Sequence, residues 1–383
     1  MINISKGLDL PISGSPAIKI SDEPKISSVA VLANDFIGMK PTMLIKVNDK
    51  VKVGQKIFED KKNPGVFFTS PAGGTVKSIN RGDKRRFLSI EIDIDLNEEF
   101  ESFKLGNNKN EIKNALIDSG LWNAFRTRPF NRTPKINDEA DAVFVNCCDT
   151  NPLSVDPYEI IKEDKSLFDE GIKILSNLFD CKIHLTYQNN NFDISNKDID
   201  YHHVSGPHPA GLSSTHISKI YPVNLKRIAW TINYQDIISI GYLFKNNTIR
   251  THKIISLGGP NVFEPSLIKV RPSANIDEIT AGKTKQNSRL ISGSVLHGHT
   301  SEGVMNYLGY YDSQISCISD ELNDSFMSWL NPGSTLHSKL NVFLSSIIKP
   351  KDFIFNTSNN GANRAIVPIS SYEEVVPMDI LVT

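Results

Sequence analysis

Two sets of side chains have types and spacings that suggest chemistry, and the first is a group of histidines. His202, His203, His208 and His216 all lie within residues 201–216. Imidazoles bind transition metals, but a pair of ligands on one helix face needs a spacing of four residues, and Gly and Pro interrupt this segment. No carboxylate lies among the four histidines. We therefore predict a rigid loop here and no metal site.

The second set is Ser294 with His297, which together suggest a nucleophile and its base. A nucleophile elbow has the pattern G-x-S-x-G, in which the second glycine follows the serine by two residues. Here Gly293 precedes Ser294, but the next glycine is Gly298, which comes too late. The segment is better interpreted as a strand and a turn, so we predict no hydrolase.

Two lysine-containing turns offer further alternatives. Lys61 and Lys62 stand between short apolar runs in a pattern that resembles biotinyl/lipoyl domains, in which a hairpin lysine carries the prosthetic group. The turn 59–65 is longer and more basic than the usual modified hairpin, so we predict that neither lysine is modified. The run Arg81–Arg86 has five charged residues among six. A phosphate-binding patch is possible there, but a solvated hairpin end is the favoured interpretation.

Composition limits the remaining choices. The chain has 383 residues, of which 39% are hydrophobic and 22% charged, and its net charge is −1. These values are typical of a globular protein with two to four domains, and they give no reason to expect nucleic acid as a partner. None of the four cysteines forms a C-x-x-C pair. The sequence also lacks a signal peptide and any apolar run long enough to cross a membrane, so a role at a membrane would require docking on a partner.

The elements around residue 120 predict a parallel α/β sheet. Helical spacing at Glu111–Leu121 precedes a loop rich in Arg, Pro and aromatic residues, which ends near Pro134. The apolar run Ala142–Asn146 is typical of a buried strand, and a helix at Ser166–Phe179 leads to another strand at Cys181–Tyr187. This β-α-β order favours a right-handed crossover. In such sheets the loops at the strand ends line the ligand crevice.

This region resembles the flavin-binding, NADH-oxidising subunit of respiratory complex I and the C subunit of Rnf complexes. Ser119-Gly120-Leu121 and the segment Asn146–Pro152 match the frame of that flavin site. The glycines between them are replaced at residues 123–128, which include Phe125 and Arg126. Glycine lets backbone N–H groups approach a phosphate, whereas bulky side chains fill that space. The resemblance implies a flavin-type fold that has lost its flavin.

A flavin-type frame without its glycines resembles one family, the A subunits of the sodium-pumping NADH:quinone oxidoreductase (Nqr). Six separated phrases carry the resemblance along nearly the whole chain. They lie at residues 6–12 (KGLDLPI), 58–82 (beginning FEDKKNPGVFF), 206–212 (GPHPAGL), 291–298 (ISGSVLHG), 325–333 (SFMSWLNPG) and 364–380 (beginning RAIVPIS).

The fold that the resemblance implies is an α/β multidomain chain. Residues 1–105 would form a biotinyl/lipoyl-like barrel-sandwich hybrid, and residues 106–255 a Rossmann-like parallel α/β domain without its flavin glycine loop. Residues 256–330 would form a small β-grasp domain of the SLBB type. Residues 331–383 would be the start of a C-terminal helical region.

The function that the resemblance implies is that of a peripheral subunit on the cytoplasmic side of the bacterial inner membrane. It would bind other Nqr subunits, chiefly the membrane-embedded B subunit. The complex passes electrons from NADH to ubiquinone and couples this to Na⁺ export. This subunit would help form the quinone-reducing end, with no catalytic residue, cofactor or metal of its own. A flavin-binding dehydrogenase subunit and a scaffold without any small-molecule site are the alternatives.

Four residues are predicted to contact the quinone. The resemblance implicates the segments that contain Phe36 and Met39 and, further on, Arg128 and Phe130. A quinone pocket is mostly apolar and needs one or two donors for the carbonyl oxygens, and Arg128 could be such a donor. The alternatives are that Phe36 and Met39 belong to the core of the first domain and that Arg128 pairs with a carboxylate such as Asp149.

Overall fold

The computed structural model describes residues 1–21, 23–189, 192, 196–320, 330–338, 341–358 and 375–377. The strands in these ranges are, in chain order, β1 (Ile2–Asn3), β2 (Ala17–Ser21), β3 (Ser28–Leu32), β4 (Pro41–Met43), β5 (Lys50–Val51), β6 (Lys56–Asp60), β7 (Phe67–Thr69), β8 (Gly74–Arg81), β9 (Phe87–Ile94), β10 (Arg126–Arg128), β11 (Ala142–Cys147), β12 (Lys182–Tyr187), β13 (Ile199–Ser205), β14 (Ala229–Asn233), β15 (Lys253–Gly258), β16 (Ser266–Val270), β17 (Ser288–Ser292), β18 (His299–Thr300) and β19 (Gln314–Ser319). The α-helices are α1 (Lys109–Asp118), α2 (Pro157–Ile161), α3 (Lys165–Leu178), α4 (Ser213–Ile220), α5 (Tyr234–Asn246), α6 (Ile276–Thr280) and α7 (Ser345–Ile348).

The first unit consists of two antiparallel sheets that share one core. One sheet has the order β3-β9-β8-β5 and the other β4-β6-β7. Phe58 on β6 and Phe87 on β9 join the two sheets, with ring centroids 5.5 Å apart. Lys61 and Lys62 lie exposed in the turn between β6 and β7, where the sequence predicts a hairpin. This arrangement of short strands is the predicted barrel-sandwich hybrid.

The second unit is a mostly parallel sheet with the order β1-β13-β12-β11-β14-β10. Its central strand β11 is almost fully buried, which explains its unbroken apolar sequence. Helices α3 and α5 cross at Gly171 and Gly241, and a Cβ on Gly241 would lie 1.9 Å from the carbonyl oxygen of Leu167. The two glycines therefore permit close contact between the helices.

The segment before β11 departs from the predicted open loop. Helix α1 begins with a capping box between Asn108 and Glu111, and the chain turns at Gly120, whose φ is +77°. It then forms β10, which pairs antiparallel with β14 at the sheet edge. Phe125 is fully buried and contacts Trp230, with ring centroids 5.9 Å apart. The prediction that Phe125 fills the crevice is therefore wrong, because its ring belongs to the core.

The predicted loop at residues 201–216 is also wrong in part. His202 and His203 lie on β13, and His216 lies buried on α4, while His208 stands in the connection between them. The strand was missed because its residues are polar and only half-buried, so they give no apolar period. Gly206 and Pro209 lie in the short connection between β13 and α4, so they interrupt neither element.

The third sheet has the order β18-β17-β19-β15-β16-β2, with α6 packed in the same unit. The first 21 residues connect the units, because β1 pairs with β13 and β2 pairs with β16. Of the region beyond residue 330, the described ranges contain the short helix α7. Residues 325–329 and most of 364–380, which carry two of the phrases that resemble the family, lie outside the described residues.

Candidate functional site

A cavity of about 110 Å³ lies where the three units meet, and we call it the junction cavity. One wall is aromatic and comes from different parts of the chain. Phe36 lies 4.5 Å from Phe68, 5.5 Å from Tyr310 and 5.9 Å from Tyr311, measured between ring centroids. Residues 33–35 form a single 3₁₀ turn that directs Phe36 into this cluster. Phe36 is thus both part of the core and part of the cavity wall.

The other wall of the junction cavity is polar and charged. The ammonium of Lys253 donates to the carbonyl oxygens of Tyr310 at 3.2 Å and Asp312 at 2.6 Å. Asp35 does not line the cavity itself, but its carboxylate accepts from the backbone N–H of the lining residue Tyr310 at 2.9 Å. Burial raises the pKa of Asp35 and that of Asp236 to about 7 each, and it lowers the pKa of Lys253. The site therefore holds carboxyl groups that can exchange protons near neutral pH.

Arg250 is the least solvated cation of this wall. Its side chain is 1% exposed, and Nη2 contacts the Asp164 carboxylate at 2.5 Å. Within the described ranges, its Nε and Nη1 atoms have no hydrogen-bond partner. Burial lowers the pKa of Arg250, and Asp164 opposes this effect. Three N–H groups of this cavity-lining residue therefore lack a partner, and the two nitrogens that carry them are shielded from solvent.

A second cavity, the strand-end crevice, adjoins the first. It measures about 260 Å³ and lies at the carboxyl ends of β11 and β14, where Asn146 and Asn233 line it. Tyr311 and Asp312 line both cavities, so the two spaces share a wall. This crevice is the usual ligand position of a parallel α/β sheet.

Arg128, one of the predicted quinone contacts, lines the strand-end crevice. Its Nη1 donates to the amide oxygen of Asn131, and its buried Nε has no hydrogen-bond partner among the described residues. Burial lowers the pKa of Arg128 to about 10, and the nearby Arg126 adds to this effect. The alternative pairing with Asp149 is not observed in the described ranges, where that carboxylate accepts from the backbone N–H of Asn151 at 2.9 Å.

Met39 and Phe130 lie outside both cavities. Met39 is half-buried and lines an open groove on the other side of Phe36. Phe130 is 57% exposed in the loop that follows β10. The two predicted segments do meet, because a Cβ on Gly38 would lie 3.3 Å from the Nε of Arg132. The structure therefore brings the segments together but places the four predicted side chains at the junction cavity, the open groove, the strand-end crevice and an exposed loop.

Four residues of the site were not predicted from the sequence: Tyr310, Tyr311, Lys253 and Arg250. The pair of tyrosines after Gly309 was the one local signal that could have indicated them. Nothing local marks Lys253 or Arg250, because their burial depends on contacts with distant segments.

The alternative sites are not assembled as catalytic or metal centres. The Ser294 hydroxyl accepts from the backbone N–H of Leu296 at 3.3 Å, and no hydrogen bond joins it to the ring of His297 in the described part of the chain. Nδ1 of His184 and Nε2 of His202 are 3.1 Å apart. Among the residues that the structure describes, no group of three His, Cys, Asp or Glu is placed to hold a metal ion.

Comparison with known proteins assigns each unit to a family. Three family models match: the NqrA N-terminal barrel-sandwich hybrid domain over residues 2–95, the NqrA second alpha/beta domain over 107–249, and the NQRA C-terminal domain over 254–303. The A subunit of the Na(+)-translocating NADH-quinone reductase of Hahella chejuensis is 44% identical over 392 residues, covering 100% of this chain and 88% of that protein. The chain belongs to this family of A subunits.

Other members of the family show a similar degree of identity to this chain. The A subunit of Neisseria meningitidis serogroup B is 44% identical over 393 residues, and that of Yersinia pestis is 41% identical over 392 residues. Each alignment covers 100% of this chain and 88% of the relative. Membership of the family confirms the predicted recognition and the multidomain α/β fold, and it does not favour the flavin-binding alternative. In the described residues no helix is long and apolar enough to span a bilayer.

Proposed function

We propose that the chain works as the peripheral A subunit of a Na⁺-translocating NADH:ubiquinone oxidoreductase and that its junction cavity receives the quinone ring. Family membership supports the first part, because the relatives carry that name. The second part rests on one observation: a partly aromatic cavity has in its wall a buried guanidinium whose Nε and Nη1 have no hydrogen-bond partner among the described residues. Quinone pockets are mostly apolar with few, well-placed donors.

The chemistry of the junction cavity suits a quinone ring. Its volume of about 110 Å³ is somewhat below the ~150 Å³ of a cavity known to admit benzene. A quinone ring is larger than benzene, so its entry would require the lining side chains to move apart. Phe36 and Tyr310 would contact the faces of the ring, as aromatic side chains do with planar ligands. We therefore place the head group between these side chains.

The charged side chains would supply the polar part of the reaction. Arg250 would donate to one carbonyl oxygen and stabilise the negative charge that develops there as electrons arrive. Arg128 lines the adjoining strand-end crevice and not the junction cavity, so it would donate to an oxygen of the quinone that reaches that crevice. Asp236 holds a proton near neutral pH, because burial raises its pKa to about 7, and it lines the same cavity. It is suitably placed to supply a proton to the reduced oxygen.

The remaining parts of the proposal concern the complex. Electrons would come from NADH through other subunits, and this chain would hold no cofactor of its own. It would lie on the cytoplasmic side of the inner membrane and bind chiefly the membrane-embedded B subunit. We propose that the chain divides into four units, at residues 1–105, 106–255, 256–330 and 331–383.

Crosslinking tests the proposal directly. The full chain is irradiated with a photoreactive ubiquinone analogue, and the labelled peptides are mapped by mass spectrometry. We expect saturable labelling of the peptides that contain Phe36 and Tyr310, and protection by excess ubiquinone. Label that is confined to exposed surface peptides, or that no quinone competes away, would instead support a scaffold without a small-molecule site. Stoichiometric flavin absorbance of the purified chain would support the dehydrogenase alternative.

A further inference from the structure

An open groove of about 520 Å³ lies between the β8–β9 hairpin tip and the turn at Gly38, and we call it the basic groove. Five cationic side chains line it, and no carboxylate is among its lining residues. The cations are Lys40, Arg81, Lys84, Arg85 and Arg86. The sequence favoured a solvated hairpin end for residues 81–86, but the fold adds Lys40 and apolar residues from a distant segment. The groove is therefore a concentration of positive charge on a chain whose net charge is −1.

The positive charge of the groove is not neutralised within the chain. No ion pair involves any of the five cations in the described ranges. Arg86 donates instead to the amide oxygen of Asn34 at 2.9 Å, and Arg81 to the carbonyl oxygen of Arg85 at 3.3 Å. These neutral acceptors orient the guanidinium groups but do not neutralise their positive charge. An anion that reaches the groove therefore meets oriented donors.

The hairpin tip has an unfavourable backbone for the residues it carries. Lys84 has a φ of 53° and Arg85 a φ of 61°, so two successive residues with side chains adopt the left-handed conformation. Glycine or asparagine is the usual choice at such positions. Strain of this kind points to a functional constraint on the side chains. Here the strained backbone places the two adjacent cations, Lys84 and Arg85, at the tip of the hairpin.

Exposed apolar side chains stand next to the cations. Ile37 lines the groove and is 48% exposed, and Phe130, 57% exposed, lies two residues before Arg132, which contacts Gly38. A nucleic acid phosphate would use the cations but not these apolar groups. The interface of an anionic bilayer uses both, because phosphates accept from Lys and Arg while apolar side chains enter the acyl boundary.

We infer that the basic groove, with Ile37 in its lining and Phe130 on the adjoining loop, docks on the anionic phospholipid headgroups of a membrane. The ligand class is the phosphodiester of an acidic lipid such as phosphatidylglycerol. Phe36 lines both this groove and the junction cavity. If the proposed function holds, the docked face thus brings the cavity to the membrane in which a lipid-soluble quinone resides. The docking itself does not depend on that function.

Vesicle flotation of the full chain tests the inference without any quinone, so its failure and that of the proposed function are distinguishable. We expect the chain to float with phosphatidylcholine vesicles only when they contain phosphatidylglycerol, and to be released at about 1 M salt, where screening is strong. The double variant Lys84→Gln/Arg85→Gln should bind about 25-fold more weakly, since each cation near an anionic surface contributes about fivefold. Phe130→Ser should bind more weakly while its residual binding remains salt-sensitive.

A matched variant distinguishes membrane binding by the groove from a general effect of positive charge. Lys104 and Lys226 are exposed and belong to no ion pair among the described residues. Lys104→Gln/Lys226→Gln removes the same charge elsewhere and should bind as the parent does. Unchanged thermal unfolding of both double variants shows that they fold. Equal loss in the two variants, equal flotation with neutral vesicles, or equally tight and Lys84/Arg85-dependent binding of a single-stranded oligonucleotide would each overturn the inference.

Discussion

The buried charge of Arg128 should lower the free energy of unfolding, while its guanidinium should donate a hydrogen bond to the quinone. The change Arg128→Met tests both effects. Burial, together with Arg126, lowers the pKa of Arg128 well below its ordinary value, to about 10. Below pH 10 the guanidinium is charged in both the folded and the unfolded chain, so the whole electrostatic cost is present at pH 7. At 1.36 kcal/mol per pH unit this cost is about 3.4 kcal/mol, and solvent screening of the partly exposed group reduces it to about 1–2 kcal/mol.

Arg128→Met should therefore raise the free energy of unfolding by about 1–2 kcal/mol at pH 7, measured by urea denaturation. The gain should shrink as the pH rises through 10 toward 12.5. The same change should weaken competition by a quinone analogue at least tenfold, because a charge-assisted hydrogen bond contributes about 1.5–3 kcal/mol. Both results come from one purified variant.

Arg126→Met is the matched control. Arg126 lies 4.2 Å from the ring centroid of Tyr311, and its charge lowers the pKa of Asp35 and of Asp236. Its loss should raise stability less than the loss of Arg128, because it relieves the repulsion of Arg128 but also removes an attraction to the two carboxyl groups. A decrease in stability for Arg128→Met would refute the electrostatic reasoning. Unchanged quinone competition would remove Arg128 from the site.

Three other changes test separate parts of the structure. Gly241→Ala would place a Cβ 1.9 Å from a backbone carbonyl oxygen of the crossing helix, so urea denaturation should show a loss of about 3 kcal/mol; Gly282→Ala, with nothing within 4 Å, should lose about 1 kcal/mol from its positive φ alone. Equal losses would contradict the close helix contact. Asp164→Asn leaves the charge of Arg250 unpaired and should cost about 3–5 kcal/mol by the same measurement; a cost below 1 kcal/mol would show that the ion pair is dispensable. Asp236→Asn should raise stability by about 1–2 kcal/mol at pH 8 but by well under 1 kcal/mol at pH 4, because the unfolded carboxyl ionises above about pH 4 while the folded one stays protonated up to about pH 7, so the penalty grows between these values. Thermal unfolding between pH 4 and 8 measures this difference, and parallel curves for parent and variant would disprove it.

Elements with a strong apolar pattern were predictable from the sequence. The prediction for β11 at Ala142–Asn146 agrees with the strand Ala142–Cys147, and that for Cys181–Tyr187 agrees with β12 at Lys182–Tyr187. Both strands are largely buried, but only β11 carries an unbroken apolar run, at residues 142–145, whereas in β12 the apolar residues alternate with His184 and Thr186. The multidomain fold was predictable from the family resemblance, which the family models confirm.

Polar elements and contacts between distant segments were not predictable. His202 and His203 are half-buried on strand β13, and the sequence of this strand shows no alternation of apolar and polar residues. Phe125 was assigned to the crevice because it stands where the flavin-binding relatives have glycines, whereas its side chain belongs to the core. The junction cavity joins Phe36 to Tyr310, 274 residues later, and no local pattern reports such a contact. The positions of Met39 and Phe130 relative to a quinone remain predictions.

The pairing of the first 21 residues with strands far along the chain affects how the protein folds during synthesis. Ile2 on β1 pairs with Val204, and Ile20 on β2 pairs with Leu267. Translation at about 5–20 residues per second means that β1 waits on the order of 10–40 s before its neighbour leaves the ribosome. The barrel between residues 28 and 94 can close in that interval, because all its strand partners are already synthesised. The earliest segment to emerge is therefore among the last to find its place, and it ties two units together only after both have been made.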